Sequence, residues 1–356
     1  MYTHDGEDIF VLDGHVHFWN AREENVIHRG GDQFIEEFFN GHEMFTPEEL
    51  RMDERTFRRY TKERFVQDVF VDGYVDVGMF QPTYLKAFYE NGFNTVERCS
   101  ELAETYPERF VLNGWMDPRD GEEGLEYLEW QKETFDIQGV KLYTAAWNGD
   151  SKGYRLDSEM SYRFLDKCEE LGIKNIHPHK GPTIKPLNLD AFDVTDVDEA
   201  ATLYPDLNFI VEHSGVPRLD DFVWFASQEE NVYANVALIA GFAYKRPKKW
   251  KEIFGELLFW LGEDRIIYGS DYAICHPKNI IETTLDTEFT EEEIAEYDAQ
   301  FDLEAKKKFL GENLAELYDI DLEKRAKAVQ NDEVSRTHGL EQTYEDAEFD
   351  WVKAGS

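Results

Sequence analysis

The feature that most constrains this chain is a regular alternation of short apolar, β-rich runs with amphipathic segments. Eight runs are typical of strands: Ile9–Leu12, Asp68–Phe80, Phe110–Gly114, Gly139–Tyr143, Ile173–His179, Leu207–His213, Val232–Val236 and Ile266–Ser270. Helical periodicity appears in Val96–Tyr106, Gly121–Phe135, Ser158–Leu171, Val197–Leu203, Leu219–Ser227 and Lys248–Leu261. Repeated βα units predict a parallel sheet, and eight of them predict an α/β fold closed into a (β/α)₈ TIM barrel.

Two regions exceed a minimal barrel. Residues 19–67 form a long, charged and Phe-rich connection between the first and second strands, which predicts a helical insertion. Residues 321–356 are polar and acidic, which predicts a C-terminal helical and acidic tail that is solvated or partly ordered. We therefore expect one barrel domain over residues 1–320. An open doubly wound sheet is the alternative, but no Gly-rich phosphate loop follows any strand.

The charge of the chain excludes several kinds of partner. Its 37 Lys and Arg residues stand against 75 Asp and Glu, a net charge of −38, whereas 42% of residues are hydrophobic and can fill a large core. A basic face for nucleic acid or an anionic membrane is not expected, and no apolar run is long enough to span a bilayer. A surface adapted to a salt-rich cytoplasm would explain the excess of carboxylates.

Cysteine usage and the first residues bear on location. Three widely spaced cysteines, Cys99, Cys168 and Cys275, do not suit a disulfide framework, and we interpret them as buried apolar side chains. The first 19 residues lack the basic and apolar regions of a secretory signal. The sequence thus predicts a cytoplasmic protein, and the insertion and the tail could support a homo-oligomer.

Histidines at strand ends are the strongest functional signal. His15 and His17 follow the first strand, His177 and His179 end the fifth, His213 ends the sixth, and Asp271 follows the eighth. Barrel enzymes place their chemistry at this carboxyl end of the strands. Imidazoles and a carboxylate that converge there suit one divalent metal ion, first of all Zn²⁺, with Mn²⁺ or Fe²⁺ as alternatives.

The segments LDGHVHFW, GVKLY, LGIKNIHPHKGPT, NFIVEHSG and RIIYGSDYA resemble the amidohydrolase superfamily over about residues 9–320. The closest resemblance is to its amidohydrolase-related branch, which includes aminocarboxymuconate semialdehyde decarboxylase. The resemblance implies that His15, His17, Asp271 and a strand-five histidine bind one metal. It also implies that His213 is the acid/base residue, with Asp271 helping to orient and deprotonate a metal-activated water.

Strand five leaves two candidate ligands, because His177 and His179 share a face of an extended strand. We prefer His179, which is nearer the barrel mouth and precedes Lys180-Gly181, and keep His177 as the alternative. Lys141 ends the fourth strand, where other branches carbamylate a lysine to bridge two metals. We expect Lys141 not to be a ligand.

Substrate contacts are predicted from residues just beyond strand ends: Trp19, Tyr143, Lys180 and Arg218. Arg can clamp a carboxylate and Lys can face an oxyanion. The expected activity is a metal-dependent hydrolase acting on a small carbonyl- or carboxylate-containing substrate. A non-oxidative decarboxylase of an aromatic or unsaturated acid is the alternative on the same site. A non-catalytic binding or assembly partner of another enzyme is the alternative from a different class.

Overall fold

The computed structural model describes residues 1–4 and 6–340. A short antiparallel hairpin, β1 (Tyr2–His4) and β2 (Glu7–Ile9), precedes the main sheet. Eight parallel strands follow: β3 (Leu12–Val16), β4 (Val77–Phe80), β5 (Phe110–Met116), β6 (Gly139–Leu142), β7 (Asn175–Pro178), β8 (Asn208–Glu212), β9 (Val232–Asn235) and β10 (Ile266–Ile267). They are hydrogen-bonded in chain order, so the prediction of eight βα units is confirmed.

The first and last strands meet and complete the barrel. Gly14 donates its N–H to the Tyr268 carbonyl at 3.0 Å, and Asp271 donates to the His15 carbonyl at 3.0 Å. His17 donates to the Tyr272 carbonyl at 2.8 Å. These bonds tie the segment that carries His15 and His17 directly to the one that carries Asp271.

Helices surround the barrel. They are α1 (Arg29–Phe45), α2 (Glu54–Arg58), α3 (Lys62–Val66), α4 (Val96–Thr105), α5 (Gly121–Phe135), α6 (Glu159–Glu170), α7 (Asp196–Leu203), α8 (Leu219–Ala226), α9 (Phe242–Lys245), α10 (Pro247–Leu261), α11 (Pro277–Leu285), α12 (Glu291–Tyr297), α13 (Leu303–Lys307), α14 (Asn313–Leu317), α15 (Leu322–Gln330) and α16 (Glu333–His338). The six whose bounds were predicted, α4 to α8 and α10, begin and end close to those bounds. Helix α6 is typical: the Ser158 side chain accepts from the Ser161 N–H at its start, and Phe164, Leu165 and Cys168 form its buried face.

The insertion forms helices α1 to α3, as expected, and covers one side of the barrel mouth. Its apolar side chains pack around Trp19, whose ring lies 5.0 Å from that of Phe57 and 5.5 Å from that of Phe38.

The predicted second strand, Asp68–Phe80, is wrong in its first half. Residues Gln67–Val71 continue α3 as a π-helical turn, and only Val77–Phe80 pair as a strand. An apolar run of this kind fits a buried helix as well as a strand.

Two other boundaries differ from prediction. The first barrel strand starts at Leu12 and includes His15, whereas residues before it belong to the hairpin. The last strand pairs only over Ile266–Ile267, which leaves the segment up to Asp271 free to bend.

The region after residue 320 contains two helices. Helices α15 and α16 bury Ala326, Val329 and Val334. Arg109, which precedes β5, binds Asp332 with its guanidinium Nε and donates to the Val329 carbonyl at 2.8 Å. The helical part of the predicted tail is therefore confirmed, and these two helices pack against the barrel. The acidic end, 341–356, lies outside the described residues.

All three cysteines are buried and free. Among the described residues, no helix has both the length and the apolar character that crossing a membrane requires.

Candidate metal centre

Three side chains from the two ends of the sheet converge at the barrel mouth. His15 Nε2 lies 3.1 Å from His17 Nε2, and these two atoms lie 3.6 and 3.2 Å from Asp271 Oδ1. All three side chains are buried. His179, Glu212 and His213 form a second group whose donor atoms lie within 4.8 Å of one another.

The hydrogen bonds of the rings assign their tautomers. His213 Nδ1 lies 2.8 Å from the Ala237 carbonyl, which can only accept, so Nδ1 carries the hydrogen and Nε2 a lone pair. His179 Nδ1, 3.2 Å from that Nε2, must then donate, and His179 Nε2 keeps a lone pair without a partner. His17 Nδ1 likewise donates to the Gln81 carbonyl at 2.9 Å. His179 therefore presents a free Nε2, whereas His17 Nε2 faces His15 Nε2 and Asp271 Oδ1.

Burial keeps three imidazoles of this site neutral, those of His15, His179 and His213. It lowers the pKa of His15 and His179 well below the ordinary value and that of His213 to about 4, against the opposing charge of Asp271. Burial alone would raise the pKa of Asp271, but the hydrogen bond from His17 and nearby cationic groups hold it below its usual range. At neutral pH the site therefore offers the neutral imidazoles of His15, His179 and His213 and the ionised carboxylate of Asp271.

The two strand-five histidines occupy different levels of the barrel. His179 lies just beyond β7 at the cavity. His177 lies within β7, and both of its nitrogens are engaged: Nδ1 accepts from Gln81 Nε2 at 3.0 Å, and Nε2 lies 2.6 Å from the Tyr318 hydroxyl. The free Nε2 of His179 makes it the better candidate ligand.

Of the four predicted substrate contacts, one lies at the cavity and three do not. Tyr143 lines the cavity, and its buried hydroxyl has no hydrogen-bond partner. The structure does not bring the other three to the cavity wall. Trp19 is buried in the insertion with its indole N–H donated to the Phe57 carbonyl, Lys180 pairs with Asp196 at 2.8 Å, and Arg218 pairs with Asp193 at 2.8 Å. Their partners already satisfy these groups, so they do not face the cavity.

Several polar residues around the site were not predicted. Glu212, the last residue of β8, lies in the barrel interior beside Lys141 and His15. Asp13 accepts from the backbone N–H of His15 and of Ser270, at 3.1 and 2.9 Å. Alternation along β8 could have indicated Glu212, since Ile210 and Glu212 share the inward face. Nothing in the sequence pattern indicates the contacts of Asp13.

The cavity is small, about 20 Å³, which is room for little more than one water molecule. Its polar side is formed by the histidines, Asp271 and Lys141, and its other walls are mostly apolar, lined by Phe38, Phe93, Tyr143, Pro182, Ile184 and Leu238. A substrate would have to displace part of this apolar wall.

The residues present fit a divalent ion. The lone pair of buried His179 Nε2 has no partner, and His15 Nε2, His17 Nε2 and Asp271 Oδ1 already lie at 3.1–3.6 Å from one another. Neutral imidazoles with one carboxylate are donors that Zn²⁺, Mn²⁺ and Fe²⁺ all accept.

Solved structures with this fold include metal-containing enzymes. An uncharacterised TIM-barrel protein of Bordetella bronchiseptica is 16% identical with a TM-score of 0.64, covering 88% of this chain and 99% of its own. A 5-carboxyvanillate decarboxylase mutant of Novosphingobium aromaticivorans, with bound manganese and a nitrobenzoic acid, is 14% identical (TM-score 0.57, 90% and 99% covered). An amidohydrolase of Burkholderia multivorans with bound zinc is 13% identical (TM-score 0.56, 87% and 99% covered).

At these identities the likeness shows the fold. Among curated proteins, no sequence matches this chain significantly. The family model described as amidohydrolase matches residues 12–320, which includes every strand of the barrel and every candidate ligand. The chain therefore belongs to the amidohydrolase family.

Proposed function

We propose that this protein is a metal-dependent hydrolase of small carbonyl- or carboxylate-containing molecules. The observation that carries the proposal is the convergence of His15, His17 and Asp271, with donor atoms 3.1–3.6 Å apart, beside a neutral His213. His15, His17, His179 and Asp271 would hold the ion. When bound, a divalent ion supplies Lewis-acid polarisation of a substrate oxygen and makes water more acidic.

His213 is the proposed acid/base residue. Its Nδ1–H is fixed on the Ala237 carbonyl, so Nε2 is the atom that would take up and return a proton, in place of the hydrogen bond that it accepts from His179 Nδ1. Asp271 Oδ2 lies 4.0 Å from His213 Nδ1, so its negative charge stabilises the imidazolium that forms when Nε2 is protonated. The two residues thus act as a pair, with His213 moving the proton and Asp271 compensating the charge.

Tyr143 is the proposed substrate contact. Its hydroxyl is buried at the cavity without a partner, so it can donate to a substrate oxygen that would otherwise be unpaired. The apolar residues opposite exclude water from the remaining substrate surface, and this wall selects molecules with an apolar or ring-shaped body.

Decarboxylation is the second candidate, favoured by this same wall. When CO₂ leaves, the electron pair of the broken C–C bond stays on the substrate carbon, which must then take up a proton that His213 can deliver in its protonated form. The apolar surroundings formed by Phe38, Phe93 and Leu238 disfavour the charged carboxylate of the substrate. The manganese-containing decarboxylase of similar fold gives independent support to this candidate.

A single screen separates the proposals. Protein freed of metal and reloaded with Zn²⁺ or Mn²⁺ is incubated with lactones, esters and amides, and with phenolic and unsaturated carboxylic acids. Acid release from a neutral substrate supports the hydrolase, and CO₂ release supports the decarboxylase. If the loaded protein binds metal yet turns over no member of either group, the enzymatic proposal is refuted in favour of a binding or assembly role.

A further inference from the structure

Glu212 is a fully buried carboxylate directly beneath the candidate metal centre. It ends β8, and the next residue in the chain is His213. Its Oε2 contacts Lys141 Nζ, and its Oε1 lies 3.4 Å from His15 Nδ1 and 3.5 Å from His177 Nδ1. A buried charge of this kind is costly unless its neighbours compensate it.

Only one of the two histidines can offer Glu212 a hydrogen. His177 Nδ1 accepts from the Gln81 amide, and its Nε2 faces the Tyr318 hydroxyl, so its Nδ1 has no hydrogen to give. His15 Nδ1 has no other partner in the described structure, whereas His15 Nε2 faces His17 and Asp271. Glu212 therefore lies next to Nδ1 of His15, on the side of the ring away from the candidate ion.

His15 and His17 belong to the same His-X-His motif but have different neighbours at Nδ1. His17 donates its Nδ1–H to the neutral carbonyl of Gln81, while His15 faces an anionic carboxylate. A carboxylate that accepts a hydrogen bond from Nδ1 of an imidazole keeps the hydrogen on Nδ1, and this makes Nε2 a stronger electron-pair donor to a metal. His15 should consequently be the more strongly binding member of the pair.

Lys141 fixes the position of that carboxylate. Both side chains are fully buried, and their contact places the Lys141 nitrogen against Oε2 within the barrel interior. The nitrogen of Lys141 thus faces a carboxylate that this chain supplies itself.

We propose that Glu212, held by Lys141, is a positioning residue that orients His15 and strengthens its bond to the metal. This inference rests on the metal centre of the proposed function and extends it to a residue that is not itself a ligand.

The test compares Glu212→Gln with the wild type in a metal competition. Metal-free protein is titrated with Co²⁺ against a chromophoric chelator, and the visible spectrum of the Co²⁺ protein is recorded. Glu212→Gln keeps the shape but loses the charge, so it should bind Co²⁺ about 10–100-fold more weakly and show shifted absorption bands. Glu212→Asp keeps the charge farther from His15 and should lie in between.

Asp332→Asn is the matched control, because it also removes a carboxylate from a buried cation, Arg109, at the other end of the barrel. It should leave Co²⁺ affinity and spectrum unchanged, even where its melting temperature falls. A merely structural role for Glu212 would make the two variants behave alike.

Three results would overturn the inference. The first is equal Co²⁺ affinity of the wild type and Glu212→Gln, or, if that variant does not fold, of the wild type and Glu212→Asp. The second is two ions per wild-type chain and one per Glu212→Gln chain, which would make Glu212 a ligand. The third is a wild type that binds no metal, which would remove the proposed function as well.

Discussion

The two ends of the barrel treat buried polar groups in opposite ways. At the amino end, His177, Tyr318 and Asn113 form a chain of hydrogen bonds at 2.6 and 3.0 Å, and Arg109 binds Asp332, Ser335 and two carbonyls. At the carboxyl end, His15 Nδ1, His179 Nε2, Lys141 Nζ and both oxygens of Glu212 lack a well-aligned hydrogen bond.

Four of the nine non-glycine residues with positive φ among the described residues lie next to the candidate ligands or among them. His213, Ser214, Leu238 and Asp271 have φ values of 63°, 50°, 62° and 64°, in the left-handed region that non-glycine residues seldom occupy. All four lie at the carboxyl end, after β8, β9 or β10. Tyr74, Asp136 and Asp319 also have positive φ values and lie away from the ligands, so the contrast between the two ends rests on hydrogen bonding, and the four positive φ values at the carboxyl end mark the turns that carry the ligands.

Asp271→Asn should have the largest effect on chemistry and almost none on folding. Removing a metal-binding carboxylate should weaken metal affinity by more than the roughly 10–100-fold typical of residues outside the ligand set, and turnover should fall with it. The free energy of unfolding without metal should change little: Asn removes the cost of burying a charge, but it also removes the stability that the ionised Asp271 contributes through its lowered pKa. Metal analysis and urea denaturation measure the two effects. A strongly destabilised metal-free variant would break the contrast between the ends.

His213→Asn should separate proton transfer from metal binding at the carboxyl end. Asn tolerates the positive φ of this position, so the fold should be retained. Loss of a general acid/base residue should lower kcat by about 10²–10⁴-fold while metal content stays at the wild-type level. Steady-state kinetics on a substrate from the screen, with metal analysis of the same sample, provides the check. An unchanged kcat would remove His213 from its proposed role.

The success of the sequence predictions also differs between the two ends of the barrel. The spacing of His15, His17, His179, His213 and Asp271 at strand ends predicted a site because parallel strands place their carboxyl ends together. Trp19, Lys180 and Arg218 also follow strands, but each has a partner distant in sequence (Phe57, Asp196 and Asp193), and such pairings leave no local pattern. The amino-end networks escaped prediction for the same reason.

The fold was predictable where periodicity was unambiguous. Helix α5 matches its predicted bounds, because its apolar positions recur at helical spacing over four turns. The run after Asp68 was misassigned, since continuous apolar residues suit both a strand and a buried helical turn. The first strand was misplaced because its polar residues, from Asp13 to His15, are buried by contacts across the barrel.

Arg109→Met should lower the free energy of unfolding and leave metal affinity unchanged, which is the reverse of the expectation for Asp271→Asn. It leaves Asp332 and the Val329 carbonyl without their buried cation, and breaking a buried ion pair costs about 3–5 kcal/mol of unfolding free energy. Metal affinity should not change, because the pair lies at the opposite end of the barrel. Urea denaturation and chelator competition test both statements. Weakened metal binding in a folded variant would show that the ends are coupled.

Tyr318→Phe should give the smallest effect and the sharpest comparison within the amino end. The hydroxyl lies 2.6 Å from His177 Nε2 and donates to Asn113 Oδ1 at 3.0 Å, so its removal leaves two buried polar groups unpaired. Such groups cost about 1–3 kcal/mol each, whereas Arg109→Met breaks an ion pair and also removes the hydrogen bonds of Arg109 to the Val329 and Asp76 carbonyls. Tyr244→Phe, at an exposed tyrosine, is the control and should leave the unfolding free energy unchanged. Because His177 uses its nitrogens in this network rather than at the cavity, metal affinity should stay at the wild-type value. If Tyr318→Phe instead gained or lost metal affinity, His177 would be in contact with the ion, and the assignment of His179 as the strand-five ligand would fail.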